Sequence, residues 1–179
     1  AVREAERNLP DGSTRILPVA TETARAIFQL GTYEGSSQRL CGITWGAEDI
    51  AADIGAETNR LPGGGYSDPF RLARSLCIFG AAAAGVAAFD TVFTNFRDEA
   101  GLIAESEQGR RDGFSGRMAI HPAQVPVINM VFTPTPEAVA LARRIVETFA
   151  ANPDAGVIAI DGKMIDMPHL RQSERILAQ

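Results

Sequence analysis

The chain has 179 residues, of which 45% are hydrophobic and 22% charged, and its formal net charge is −5. This composition is typical of a globular protein with one sizeable core. The scattered basic residues exclude a positive surface for nucleic acid or anionic lipid, and no apolar run approaches the roughly 20 residues that span a bilayer. We therefore expect neither nucleic acid nor a membrane as a partner.

The cysteines indicate the redox compartment. Cys41 and Cys77 are the chain's two cysteines, and both lie among apolar residues. They fit neither a disulfide framework nor the paired spacing of a zinc site. A reducing compartment follows, and we expect the protein to be cytoplasmic.

The first three quarters of the chain alternate short apolar runs with helical patterns. The opening residues Ala1–Leu9 are typical of a charged helix rather than of a signal peptide. Strands are predicted over residues 15–20, 40–45, 86–92 and 116–121, and helical segments over residues 24–30, 50–54, 69–84 and 99–112. This alternation of strand and helix indicates a parallel α/β architecture.

The pattern changes after Phe132. An extended Thr-Pro-Thr-Pro stretch leads into a predicted helix over 137–151, which carries an apolar stripe. A hairpin is predicted around Asp161-Gly162, and the last segment, 168–179, is predicted to be helical.

Two carboxylates follow neighbouring predicted strands. Glu22 comes after the strand that ends at Ala20, and Asp49 after the strand that ends at Trp45. The loops after parallel strands meet at one edge of the sheet, so we expect these side chains to converge. Carboxylate oxygens are ligands that Mg²⁺ prefers. The spacing alone leaves a second interpretation open, in which both are helix N-terminal carboxylates stabilised by the macrodipole.

Two further features of these loops are less specific. The backbone of residues 46–49 offers N–H groups at a helix start, which suits a substrate carboxylate. His121 follows the last predicted strand and is either a hydrogen-bonded structural residue or a catalytic one.

Four motifs occur in order along the chain. They are ATETA (20–24), GAEDIAADIG (46–55), GFSGRMAIHPAQV (113–125) and DGKMID (161–166). Together they resemble the HpcH/HpaI aldolase and citrate lyase beta-subunit family, and the resemblance runs nearly end to end.

The resemblance implies a TIM (β/α)₈ barrel. Residues 1–132 would supply its C-terminal half, about four strand–helix units, and residues 133–179 a C-terminal helical extension or lid. Members carry roughly four more strands before this point, including one whose arginine binds the substrate carboxylate. No residue here can be given that role.

The resemblance also implies a reaction. Members are Mg²⁺-dependent carbon–carbon lyases that carry out aldol- or Claisen-type cleavage or condensation through a metal-stabilised enolate. The expected substrates are 3-hydroxy-acyl-CoA compounds such as citryl-, malyl- or citramalyl-CoA, so the partners would be a keto acid and an acyl-CoA or acyl-carrier thioester. Family members further imply a homo-oligomer, a trimer or a multiple of it.

Site residues follow from the matching motif positions. Glu22 and Asp49 resemble the two Mg²⁺ ligands, with Glu22 also near the substrate. The backbone of Gly46, Ala47, Glu48 and Asp49 would bind the keto-acid carboxylate. Asp161 resembles an acid/base delivered from a neighbouring subunit's lid; the alternative is a plain hairpin turn residue.

Two other functions remain open. One is a class II pyruvate aldolase that works without CoA, and the other is a non-catalytic relative that serves as a subunit. The extension from Thr133 onward favours the CoA-dependent branch, and the presence of Glu22, Asp49 and Asp161 argues against a non-catalytic role.

Overall fold

The computed structural model describes residues 12–178, so the helix predicted over Ala1–Leu9 lies outside the described residues. The chain divides into two compact units, with the boundary between Phe132 and Thr133. Each unit has a hydrophobic cluster of its own.

The first unit alternates strands and helices, which confirms the predicted α/β fold. Its elements are α1 (Ala24–Ile27), β1 (Gly42–Thr44), α2 (Ala47–Asp53), α3 (Asp68–Ala83), β2 (Ala87–Asp90), α4 (Glu99–Asp112), β3 (Gly116–Arg117) and α5 (Gln124–Phe132). A short 3-10 helix, Leu30–Tyr33, follows α1.

Strands β1, β2 and β3 form a parallel sheet in that order. Parallel neighbours need a crossover connection, which α3 supplies between β1 and β2 and α4 between β2 and β3. The carboxyl ends of the strands therefore lie at one edge, where the loops that carry the predicted site residues begin.

The predicted strand over 15–20 lies beside β1 without forming a regular strand. An isolated parallel bridge joins Val19 to Thr44, and the Thr44 N–H donates to the Pro18 carbonyl at 3.0 Å. Proline has no N–H to give to a ladder, so Pro18 interrupts the pairing. The prediction was right about position and direction and wrong about a continuous strand.

The predicted strand over 116–121 ends at Arg117, earlier than expected. The cause is the buried side chain of Gln124, whose Oε1 accepts from the Ile120 N–H at 2.9 Å and whose Nε2 donates to the Phe93 carbonyl at 2.8 Å. This amide fixes the chain in a turn where the strand was expected to continue.

Helix α5 was not predicted, because Pro126 lies inside it. Proline is tolerated in the first turn of a helix, where the backbone N–H has no partner within the helix. The other helices follow the sequence more closely: α4 has the predicted bounds, α3 begins and ends one residue earlier than expected, α2 begins at Ala47 rather than at residue 50, and α1 ends before residue 30.

One aromatic ring spans the sheet. The ring of Phe89 on β2 lies beside glycines on both neighbouring strands: a Cβ atom added at Gly42 would lie 2.6 Å from Phe89 Cε2, and one added at Gly116 would lie 2.9 Å from Cδ1. Only glycine leaves room for the ring on both sides. On the opposite face, Trp45, Phe70 and Cys77 are almost fully buried.

The second unit contains helix α6 (Pro136–Ala151), the antiparallel strands β4 (Val157–Ile160) and β5 (Lys163–Asp166), and helix α7 (Met167–Leu177). The predicted hairpin is confirmed. The predicted stripe on α6 is buried at Ala142, Ile145 and Phe149, and Ile145 and Phe149 pack with Ile160 and Ile165.

Among residues 12–178, one stretch is apolar enough, by length and composition alone, to cross a membrane: Gln124–Ala151, which contains an 18-residue window with a mean hydropathy of 1.2. We had expected no apolar run long enough to span a bilayer, so this stretch was not anticipated. The stretch is not one continuous helix, because α5 ends at Phe132 and α6 begins at Pro136. A single stretch of this kind is weak evidence for a membrane span, and the absence of a membrane partner stays a prediction.

Candidate functional site

The carboxylates of Glu22 and Asp49 converge on Gly46. A Cβ atom added at Gly46 would lie 3.4 Å from Asp49 Oδ2 and 3.5 Å from Glu22 Oε1, so both oxygens approach one small region of space. Glu22 follows the segment that pairs with β1, and Asp49 lies in the first turn of α2; both residues are exposed. The predicted convergence is therefore present in the structure.

Thr21 holds the two loops together. It is fully buried, and its hydroxyl oxygen accepts from the Gly46 N–H at 3.0 Å and faces the Gly46 carbonyl at 3.4 Å. A second link joins the helices that follow, since Asp53 Oδ2 accepts from the Ala24 N–H at 2.7 Å. These bonds fix Glu22 against Asp49 through the backbone.

The remaining residues of the predicted substrate-binding stretch have different roles. Ala47 is buried, and the Glu48 side chain accepts from Asn59 Nδ2 at 2.9 Å. The Gly46 N–H is bound to Thr21. Ala47, Glu48 and Asp49 form the first turn of α2, where N–H groups have no partner within the helix.

The donor set at Gly46 suits a hard cation. Among residues 12–178, no group of three or more His, Cys, Asp or Glu side chains is arranged to hold a metal ion. The pair formed by Glu22 and Asp49 is smaller than such a group. Mg²⁺ is usually held by one or two carboxylates and completes its shell with waters and substrate oxygens, so these two exposed carboxylates fit it.

Asp161 lies at the turn between β4 and β5. Its φ is 51° and that of Gly162 is 74°, the left-handed values that a two-residue type I′ turn requires. Its exposed carboxylate accepts from both terminal nitrogens of Arg144, at 2.9 and 3.1 Å. The hydrogen bond and the charge of Arg144 lower the pKa of Asp161.

Asp90, the last residue of β2, has a buried carboxylate. Asp90 Oδ1 accepts from Trp45 Nε1 at 2.7 Å and from the Thr91 N–H at 3.0 Å, and Oδ2 accepts from Arg74 Nη2 and Arg117 Nη2, each at 3.0 Å. Asp90 is 0% exposed. This cluster was not predicted from the sequence; the available signal was an aspartate inside an otherwise apolar run.

A cleft of about 570 Å³ opens over this cluster. Several of its charged groups are paired with one another: Arg60 with Glu105, and Arg117 with both Glu105 and Asp90. Tyr66 lines the same cleft, and its burial raises its pKa. Helix α4 approaches Asp90 closely at Gly109, where an added Cβ atom would lie 2.7 Å from Asp90 Oδ2.

His121 has structural contacts. Its Nδ1 accepts from the Ala123 N–H at 3.2 Å, and its ring stacks on Phe96 with centroids 4.7 Å apart. These contacts match the structural interpretation of His121.

Comparisons with known proteins give the class of fold and then the family. The family described as carbon–carbon bond lyase of the TIM-barrel fold matches residues 71–179. The family described as HpcH/HpaI aldolase/citrate lyase matches residues 2–122, more than half of the chain. The chain belongs to the HpcH/HpaI aldolase/citrate lyase family.

Individual proteins agree with this assignment. Citrate lyase subunit beta of Leuconostoc mesenteroides subsp. cremoris is 34% identical over 97% of this chain and 56% of its own length. A (3S)-malyl-CoA thioesterase of Cereibacter sphaeroides is 38% identical over 88% of this chain and 54% of its own length. The chain thus spans about half the length of the curated relatives it matches.

A solved structure is similar over almost the whole chain. It is the CitE protein of Mycobacterium tuberculosis in complex with magnesium, acetoacetate and coenzyme A, with a TM-score of 0.68 and 28% identity over 99% of this chain and 72% of that one.

Proposed function

We propose that this chain carries the metal-binding part of a Mg²⁺-dependent carbon–carbon lyase that acts on a 3-hydroxy-acyl-CoA substrate. The observation that carries the proposal is the convergence of Glu22 and Asp49 on Gly46. In this proposal the first unit is the C-terminal half of a (β/α)₈ barrel, and the second is its helical extension or lid.

Glu22 and Asp49 would hold the ion. When bound, Mg²⁺ would act as a Lewis acid on the carbonyl next to the bond that breaks or forms, typically worth several kcal/mol. The absence of a side chain at Gly46 keeps this region open for a substrate oxygen. Bonds from Thr21 and Asp53 hold the two carboxylates in place before substrate arrives.

The first turn of α2 would bind the substrate carboxylate. Since the Gly46 N–H is bound to Thr21, this role falls to the N–H groups of Ala47, Glu48 and Asp49. Backbone N–H groups at a helix start favour an anion. The Glu48 carboxylate has a partner of its own, since it accepts a hydrogen bond from Asn59.

Asp161 would move the proton. The bidentate contact with Arg144 lowers its pKa, so the carboxylate is ionised near neutral pH and is suited to accept a proton first. We propose that it acts from the lid of a neighbouring subunit, in a trimer or a multiple of it. A strictly monomeric protein in light scattering would contradict this arrangement.

The names of the relatives and of the CitE complex support a CoA substrate over a CoA-independent pyruvate aldolase. The candidate substrates are citryl-, malyl- and citramalyl-CoA, or the corresponding acyl-carrier thioester. The thioesterase relative adds a second candidate, hydrolysis of the thioester. A cytoplasmic location stays a prediction.

The first test is calorimetric titration of Mg²⁺ and oxaloacetate into the intact protein. Wild type should bind the keto acid only with Mg²⁺, and Asp49→Asn and Glu22→Gln should lose that binding. Glu57→Gln, an exposed carboxylate in the loop after α2, is the matched control and should bind as wild type does. Equal binding by wild type and Asp49→Asn would reject the proposal.

Lyase and thioesterase activity are then separated by product. Cleavage of the carbon–carbon bond releases a keto acid or its equivalent and a shorter acyl-CoA, whereas hydrolysis releases free CoA thiol. Free thiol without a shorter acyl-CoA would favour the second candidate.

A further inference from the structure

The proposed reaction leaves the buried Asp90 without a role. Burying a carboxylate costs free energy unless it is paired and hydrogen-bonded, and even a well-paired buried ion is weak evidence of stabilisation. Asp90 Oδ2 accepts from Arg74 and Arg117, and Oδ1 accepts a longer bond from Arg74 Nε at 3.3 Å, whereas the shortest bond, at 2.7 Å, joins Oδ1 to the indole of Trp45. Pairing with the two arginines does not account for the hydrogen bond from Trp45 to Oδ1.

Trp45 lies where the first strand meets the proposed site. It directly precedes Gly46, and its side chain is 1% exposed. The edge-on ring of Tyr66, at a centroid distance of 4.9 Å, packs against it. Two contacts thus fix the indole, one polar and one aromatic, so the backbone entering Gly46 has little freedom to rotate.

We infer that Asp90 is a positioning residue for the metal-binding carboxylates. It holds the Trp45 indole, Trp45 holds the backbone at Gly46, and Gly46 is the point on which Glu22 and Asp49 converge. Asp90 touches neither carboxylate and acts only through Trp45. The inference rests on the proposed function, because it concerns the affinity of that same metal site.

The donors around the buried Asp90 carboxylate fix its orientation. Asp90 receives donors from Trp45, directly after β1, from Arg74 on α3 and from Arg117 on β3. A carboxylate with so many fixed donors has one orientation. Groups that hydrogen-bond directly to metal ligands typically change metal affinity about 10- to 100-fold when removed, and for a residue one contact further away we expect the lower end of that range.

The variant Trp45→Phe tests the contact without unpairing Asp90. It removes the indole N–H and keeps an aromatic ring, while Oδ1 retains the Thr91 N–H at 3.0 Å and Arg74 Nε at 3.3 Å. We expect Mg²⁺ affinity to fall about tenfold in calorimetry, with the thermal midpoint measured alongside. The control is Tyr66→Phe, which removes a hydroxyl bonded to Arg60 and keeps the ring beside Trp45.

A merely structural role would lower the thermal midpoint and leave the Mg²⁺ affinity of the folded protein unchanged, and that result would overturn the inference. So would an equal loss of affinity in Tyr66→Phe. If wild type binds Mg²⁺ and Asp49→Asn does not, but Trp45→Phe matches wild type, only the positioning role fails. If wild type does not bind Mg²⁺, the proposed function fails with it.

A second measurement needs no variant. The Trp45 indole N–H signal of the wild-type protein is followed by NMR during Mg²⁺ titration. We expect slow exchange with solvent and a shift that saturates with metal binding. An indole signal that stays constant while Mg²⁺ binds would overturn the inference, even if Trp45→Phe does not fold.

Discussion

Both terminal guanidinium nitrogens of Arg144, on helix α6, donate hydrogen bonds to the carboxylate of Asp161, in the turn of the hairpin that follows. Both side chains are largely exposed to solvent. The contact links α6 to the turn between β4 and β5. It also favours the ionised form of Asp161, the predicted acid/base.

Replacing Arg144 with Gln should raise the pKa of Asp161 toward the usual value of about 3.9. The reason is that the hydrogen bond and charge of Arg144 lower this pKa in the folded protein. A carboxyl-carbon NMR titration of both proteins measures the change. If Asp161 accepts a proton in the reaction, the acid limb of the pH–rate profile should move to higher pH in the variant.

The same pair has a consequence for stability. Since the folded-state pKa of Asp161 is lower than the unfolded value, its contribution is present above the unfolded pKa and is lost as pH falls through the folded pKa. The contribution is small because the pair is exposed and screened by solvent. An unchanged Asp161 titration in Arg144→Gln would contradict the assignment of this contact.

Gly46→Ala should weaken Mg²⁺ binding while leaving the fold intact. The backbone at Gly46 has a φ of −113°, which alanine adopts without strain. The new methyl group would enter the space between the two carboxylates, 3.2 Å from Val19 Cγ1. The control is Gly63→Ala, where an added Cβ meets nothing within 4 Å. Calorimetry with Mg²⁺ should separate the two variants, and equal affinities would show that this space is not used.

Gly109→Ala should destabilise the protein although alanine is the better helix former. Helix propensity favours the change by about 1 kcal/mol. The new methyl group, however, would press on Asp90 Oδ2 and displace it from its arginines, a kind of overpacking that costs about 1–3 kcal/mol. Urea unfolding should give a net loss. Arg110→Ala, at the exposed next position, should change stability by less than about 0.5 kcal/mol.

The two cysteines should differ in reactivity. Burial raises the pKa of the Cys77 thiol to about 12, whereas Cys41 is exposed. At pH 8 a thiol reagent should modify Cys41 in the folded protein and both cysteines after denaturation, because the thiolate is the reactive form. In the folded Cys41→Ser variant, the remaining thiol, that of Cys77, should react slowly. Rapid modification of Cys77 in the folded variant would show that α3 opens locally.

The sequence predicted what depends on local pattern and on the order of strands. Glu22 and Asp49 could be placed together because parallel strands bring the loops after them to one edge. The hairpin at Asp161-Gly162 was recognisable because this pair suits a turn with positive φ at both positions. Helix α4 was recognisable from end to end, with Gly113 in a left-handed conformation after its last residue.

What the sequence missed depends on contacts between distant residues. Asp90 draws its donors from Trp45, 45 residues before it, and from Arg117, 27 residues after it. No local pattern shows that these side chains meet. Two other differences arise at prolines: Pro18 interrupts the ladder beside β1, and Pro126 lies in the first turn of α5, which was not predicted. The early end of the predicted strand 116–121 arises instead from Gln124, which bonds to Phe93, 31 residues earlier.

The position of Phe89 between Gly42 and Gly116 couples three positions on three strands. A larger residue at Gly116 requires a smaller side chain at position 89, and one at Gly42 requires in addition a shift of the Ala87 carbonyl oxygen, which an added Cβ atom would approach to 3.0 Å. A smaller residue at position 89 leaves a void that these side chains could fill. These positions should therefore vary together among relatives, with the summed side-chain volume nearly constant while each identity changes. A library randomised at the three positions at once should return compensated triplets that no single substitution reaches.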